Sequence, residues 1–233
     1  MNDVSHAFVH ALEHDSLELV DAIDRHPMIG DVIRGEASTD RYRAFLRSSY
    51  HYVRWSGPLL AETAAGIRRE GRKPWLVDVL DGKTREESPH DRWVLGDLAV
   101  CGENIELVKA SAPPLAVSAY VEWSRSLAQT GSPGYLGAAY TLEFISARRA
   151  SMAAENLRTR ARIPHIERAL SFLDGHGDAD LGHIAVLDEV LARIDDPRDR
   201  AEIALSAGVM RMLYPLFFLS PGAAAAEIVG PVA

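Results

Sequence analysis

The residues with the most chemistry to offer lie in one run, Asp174-Gly175-His176-Gly177-Asp178-Ala179-Asp180-Leu181-Gly182-His183. It holds two imidazoles and three carboxylates with three glycines between them. Nitrogen and oxygen ligands without thiolate favour iron or manganese, and zinc is also served by them. Asp180 and His183 are three apart and His176 lies four before Asp180. A continuous helix would therefore put all three on one face. The glycines weaken such a helix by roughly 1 kcal/mol each relative to alanine. The competing reading is a Gly/Asp turn followed by a helix from Asp180 whose polar face carries His183. The rest of the chain has to decide between the two.

Three other places offer partners. In Glu86-Glu87-Ser88-Pro89-His90, either glutamate can share a helix face with His90, at spacings of four and three. The alternative there is a charged helix end capped by Ser88. Glu143 sits among apolar neighbours in Ala139-Tyr140-Thr141-Leu142-Glu143-Phe144-Ile145. Burying that carboxylate without a cation or metal is costly, so it either faces water or has such a partner. Glu62 with His51 is the third place, where a solvated glutamate and a satisfied histidine are favoured. A substrate carboxylate calls for a guanidinium, and Arg54, Arg148 and Arg149 are the candidates, with surface salt bridging the competing role for each.

These groups need helices to position them. Apolar spacing predicts a helix over Val4–Arg25, ended by His26-Pro27. A second helix, capped by Ser38 or Thr39, carries Tyr42, Phe45, Tyr50 and Trp55 and kinks at Ser56-Gly57-Pro58 before resuming to Ile67. After Gly71–Pro74 a short helix runs toward Glu86-Glu87, and Ser88-Pro89 restarts one through Trp93 and Leu98. Pro113-Pro114 opens a helix to about Gln129, and Ser132-Pro133-Gly134 opens a long one, Tyr135–Arg160. A segment from Ile166 to Leu173, a helix Asp180–Ile194 and a helix Pro197–Leu219 kinked at Pro215 complete the pattern. The apolar end of the last, Val209–Leu219, is either core or interface. No stretch alternates as a strand, so the expectation is one all-α bundle of seven to nine helices over residues 1–220, followed by a C-terminal tail, 221–233.

Bulk properties narrow the function. The chain has 233 residues, 47% of them hydrophobic and 25% charged, with a net charge of −8. That excess of negative charge argues against a nucleic-acid partner. No apolar run reads as a membrane span and the N-terminus lacks a secretory pattern. The single Cys101 precludes an internal disulfide framework and suits the cytoplasm. If the chain associates, a two-fold homodimer is the default.

Glu-x-x-His, then a lone glutamate on a long helix, then His-x-x-x-Asp-x-x-His resembles the ligand order of the haem-oxygenase-like di-iron oxidases and oxygenases, also called iron-containing redox enzymes. The text Glu86-Glu87-Ser88-Pro89-His90-Asp91-Arg92-Trp93-Val94-Leu95-Gly96-Asp97-Leu98 is similar to their Glu-Glu-x-x-His-x-x-Trp-x-x-x-Asp-Leu segment. So is His26-Pro27 before an aromatic helix. The resemblance extends over roughly residues 20 to 215. It implies a haem-oxygenase-like bundle and two iron ions held by Glu87, His90, Glu143, His176, Asp180 and His183, with Glu143 a bridge. Many relatives place the first glutamate seven before the histidine, where this chain has Lys83. The shorter spacing resembles the branch containing the 1-alkene-forming fatty-acid decarboxylase, and it leaves Glu86 and Glu87 as alternatives. The activity implied is O2-dependent oxidation of a small amino or carboxylic acid by N-oxygenation, desaturation or C–C cleavage. Rival expectations on the same fold are a haem oxygenase using His10, His14 or His26, a cofactorless relative of pyrroloquinoline-quinone synthase or thiaminase II, and a non-catalytic helical binding protein.

Overall fold

Proline and glycine punctuate this chain often enough that its amphipathic runs fold back on one another instead of extending. The computed structural model describes the backbone of residues 3–219 and the side chains of residues 6–177 and 182–219. Its helices are α1 (Asp3–Arg25), α2 (Pro27–Arg34), α3 (Thr39–Val53), α4 (Ser56–Arg69), α5 (Pro74–Glu87), α6 (His90–Val100), α7 (Ile105–Ala110), α8 (Leu115–Gln129), α9 (Tyr135–Arg160), α10 (Ser171–Ala192) and α11 (Pro197–Leu213). Single 3-10 turns follow at Ile166–Arg168 and Pro215–Phe218. No strand occurs among the described residues. The all-α bundle is the one expected, but its eleven α-helices among the described residues exceed the seven to nine expected, the short α2 and α7 making the difference. The tail expected at 221–233 lies outside the described residues.

The 26-residue α9 is the central rod. α1, α2, α10 and α11 pack along it, and Leu136, Tyr140, Phe144, Ala153 and Leu157 are its buried contribution to the core. The apolar end of the final helix is core as well at Met210, Phe217 and Phe218, while Met212 is exposed. Contrary to the expectation of no such run, Pro197–Phe218 among the described residues is long and apolar enough to cross a membrane by length and composition. Its buried side chains here pack inside the protein.

Several boundaries differ from expectation for local reasons. His26 does more than end α1: its Nδ1 accepts the amides of Met28 and Ile29, both at 3.2 Å, and so starts α2 on Pro27. The expected kink is a break at Arg54–Trp55. Pro58 falls in the first turn of α4, where its missing N–H costs nothing. Ser88 does not cap α6. Its hydroxyl donates to the Thr84 carbonyl at 2.6 Å and finishes α5. Pro215 ends α11 instead of kinking it.

The largest correction concerns the Gly/Asp run. The backbone stays helical through all three glycines, so α10 is one rod from Ser171, not a turn followed by a helix from Asp180. Close packing compensates for the poor propensity. A Cβ on Gly177 would sit 2.1 Å from Ser151 Oγ, so only glycine lets α10 lie this near α9. The start of α10 is held from outside its own segment. Leu170 offers no capping side chain, but fully buried Asp97 on α6 accepts the Ser171 amide at 3.0 Å and the Phe172 amide at 2.9 Å. Tyr42 adds a hydroxyl donated to the Ala169 carbonyl at 2.6 Å.

Burial pushes the Asp97 carboxyl up from 3.8 to about 6, against the pull of the two backbone donors. As pH rises from 3.8 to about 6, the unfolded chain releases this proton first and the folded chain retains it. Stability from this group therefore falls with rising pH across that window. Unfolding titrations of wild type and Asp97→Asn should diverge by about 3 kcal/mol over it, with wild type losing ground. Parallel profiles would overturn the assignment. In Asp97→Ala, the Ser171 and Phe172 amides should lose their protection from hydrogen exchange while the α9 core keeps it.

Candidate metal centre

Four helices converge on one buried cluster of ionisable side chains. α5 ends on Glu87 and α6 begins on His90, so the Ser88-Pro89 turn folds the two together and His90 Nδ1 donates to Glu87 Oε2 at 3.1 Å. α9 contributes Glu143, and α10 contributes His176 and His183. Two sets of ligand atoms result, each with its members within 4.8 Å of one another: Glu87, His90 and His176, and Glu87, Glu143 and His183. Glu87 belongs to both. Of the two alternatives at that position, Glu87 faces the cluster, while Glu86 is 44% exposed and pairs with His183 Nε2 at the rim. Glu143 Oε1 lies 3.1 Å from Lys83 Nζ, and its Oε2 lies 3.2 Å from His183 Nδ1. The alignment at Oε2 makes no hydrogen bond, which leaves this buried oxygen without a hydrogen-bonding partner among the described residues. The sets mix carboxylate and imidazole and are shielded from water, and they contain an oxygen with an unused lone pair. They fit a divalent ion such as iron or manganese.

The surrounding side chains fix the imidazoles. The His176 Nδ1–H donates to the Phe172 carbonyl at 2.9 Å, one turn back on α10. A carbonyl only accepts, so the proton is on Nδ1 and the lone pair is on Nε2, the tautomer a ligand needs. Trp93 stacks on His90 with ring centroids 4.3 Å apart and meets His176 edge-on at 5.6 Å. Phe172 closes on His176 from a further side, at 4.7 Å. For Glu87, burial raises the carboxyl pKa. The His90 hydrogen bond and the electrostatic pull of His90 and Lys83 outweigh that effect and hold it below the ordinary glutamate value. For Lys83 burial disfavours the charge, and the pull of Glu143, Glu86 and Glu87 reverses the balance and raises its pKa.

Glu87, Glu143 and His176 also line a narrow cleft of about 90 Å³, otherwise walled mainly by aliphatic and aromatic side chains such as Ile29, Phe45, Leu142 and Phe172. Arg149 reaches the same cleft and donates to Asp24 through two bonds of 2.8 and 2.7 Å. Arg149 thus makes a salt bridge and also lines the cleft. The other arginine candidates point elsewhere. Arg148 lies over Phe144 with Glu13 at 3.5 Å, and Arg54 lies against Tyr50 and Trp55.

The weaker sequence candidates are placed outside the cluster. Glu62 pairs with Arg125, and His51 is within 3.0 Å of Ser111 Oγ. Asp174 goes to Arg158 at the surface. His10 and His14 are largely exposed, and His26 is the α2 cap. Cys101 is buried, its thiol pushed up first by burial, and it does not line the cleft. The Asp180 side chain lies outside the described residues. Trp93 and Asp97 stood in the sequence as letters of a motif without roles. No local signal marks a residue that supports a ring or a helix end distant in the chain.

Gly175 matters for the same reason. A Cβ there would lie 2.6 Å from the Trp93 ring. Gly175→Ala should therefore cost about 1–3 kcal/mol by overpacking, although alanine is the better helix former by roughly 1 kcal/mol. A raised urea midpoint would show that the ring yields freely and that the contact does not constrain His90.

Solved structures share this fold, and three of them illustrate the likeness. A domain of unknown function with a heme oxygenase-like fold from Shewanella denitrificans superposes with a TM-score of 0.78 at 20% identity, over 90% of this chain and 89% of that one. A TenA homologue from Pseudomonas syringae pv. tomato gives 0.74 at 16% identity over 91% of each chain. A TenA homologue from P. horikoshii gives 0.69 at 16% identity over 91% and 98%. Likeness at these identities establishes the haem-oxygenase-like fold alone. No curated protein sequence matches the chain. A family-wide sequence profile described as iron-containing redox enzyme matches residues 43–214, which hold α4 to α11 and most of α3. With well over half of its length matched, the protein belongs to the iron-containing redox enzyme family.

Proposed function

We propose that this protein is a non-haem di-iron oxidase or oxygenase that uses O2 to oxidise a small amino or carboxylic acid, by N-oxygenation, desaturation or oxidative C–C cleavage. The observation that carries the reading is the pair of carboxylate–imidazole sets that share Glu87 and border an apolar cleft. Glu87, His90 and His176 would hold one ion, and Glu87, Glu143 and His183 the other, with Asp180 proposed as the sixth ligand. Iron bound there supplies the electrons that reduce O2. The protein does the rest. Trp93 and Phe172 hold the imidazoles in place, and the Phe172 carbonyl keeps the His176 proton on Nδ1. Apolar walls exclude water from the reacting end.

Arg149 stands six residues beyond Glu143 on α9, about 9 Å along the helix axis. It is the guanidinium in the cleft that a substrate carboxylate can engage in exchange for Asp24. A haem-based reading lacks support from the early histidines, which are exposed or used as a cap. A thiolate-based hydrolysis lacks a cysteine at the cleft. The reading carries O2, a small-molecule substrate, a cytoplasmic setting and a two-fold homodimer as further proposals.

Anaerobic loading with saturating Fe(II), a metal count, and O2 exposure followed by visible absorbance test it. Two irons per chain and an O2-dependent transient band lost in His183→Ala are the expected result. Glu143→Ala and His176→Ala should each lower the iron content while leaving helical circular dichroism nearly unchanged, because packing elsewhere holds the bundle. Iron content unaffected in both variants would remove these residues from the centre, and no iron uptake by wild type would sink the reading.

A further inference from the structure

Lys83 is the buried lysine among the described residues, with a side chain only 7% exposed, and it lies inside the cluster. Its Nζ is 3.1 Å from Glu143 Oε1 and 3.6 Å from Glu86 Oε2. Both carboxylates beside His183 are thus already charge-compensated, Glu143 by Lys83 and Glu86 by Lys83 and His183. The other set differs. Glu87 makes its ion pair with His90, and no lysine or arginine within ion-pair distance of it occurs among the described residues.

We infer that the Lys83 ammonium makes the two ion-holding sets unequal: Glu87, His90 and His176 take a first divalent ion, and Glu87, Glu143 and His183 take a second only by displacing Lys83 from Glu143. The inference rests on the metal-centre reading above. A divalent ion on Glu143 Oε2, beside His183, and the Lys83 ammonium on Oε1 of the same carboxylate repel strongly in a water-poor site, because the local screening is weak. Lys83 cannot relieve this by moving to bulk water, since its stem is packed within the bundle. Glu86, half-exposed and already 3.6 Å away, is the acceptor within its reach. Lys83 therefore acts as a positioning residue, an internal cation that holds Glu143 in place until a second metal replaces it.

The test titrates the full-length chain anaerobically with Co(II), followed by visible absorbance and by a count of bound metal after gel filtration. Wild type should bind in two steps, the second weaker by about tenfold or more. Lys83→Met keeps length and apolar packing and removes the charge. It should tighten the second step by about tenfold while leaving the first within about threefold. Lys83→Arg should preserve the split. Circular dichroism checks folding, and Lys83→Gln takes the place of the methionine variant if that variant does not fold. A neutral variant whose second step matches wild type, or a wild type that binds both ions equally, overturns the role of Lys83 and leaves the metal centre standing. Absence of Co(II) binding in wild type and variants alike overturns the metal centre itself.

Discussion

The constraint that shapes this molecule is the cost of holding charge away from water. Glu87 and Glu143 have side chains only 10% and 13% exposed, and they lie on different helices. A carboxylate so placed is tolerable only when a positive group or a strong donor meets it. His90, His183 and Lys83 provide that here, which requires α5, α6, α9 and α10 to meet at fixed distances. The apolar core around them supplies the driving force for folding, and the polar cluster restricts the register in which the four helices can close.

Scaffold and centre are joined by a few side chains with double duties. Trp93 is core on one side and the stacking partner of His90 on the other, and its edge borders Gly175. Phe172 receives the Asp97 cap through its amide, holds His176 through its carbonyl, and packs its ring against the same imidazole. A disturbance at the start of α10 therefore reaches a ligand within one turn, although the cap comes from a residue more than seventy positions earlier in the chain.

What could be read in the sequence divides along the same line. Tyr135–Arg160 stands as expected because Ser132-Pro133-Gly134 marks its start and its length exceeds any ambiguity. His90, Glu143, His176 and His183 are brought to one place, as their residue types and the family pattern suggested. The departures from expectation are non-local. Gly175 and Gly177 look like helix breakers when judged by propensity, and they are close contacts to Trp93 and Ser151 when judged in three dimensions. His26 hides a helix start because an imidazole acceptor is an unusual cap. Lys83 appeared only as a departure from a pattern, and no spacing rule tells that its ammonium is turned inward onto Glu143.

α10 carries His176 and His183 seven residues apart on a single unbroken rod. An axial slip of that rod by one residue would shift it about 1.5 Å and rotate it about 100°. Both imidazoles would then leave their carboxylates in the same movement. A rigid displacement of this rod would thus disturb both halves of the polar cluster together.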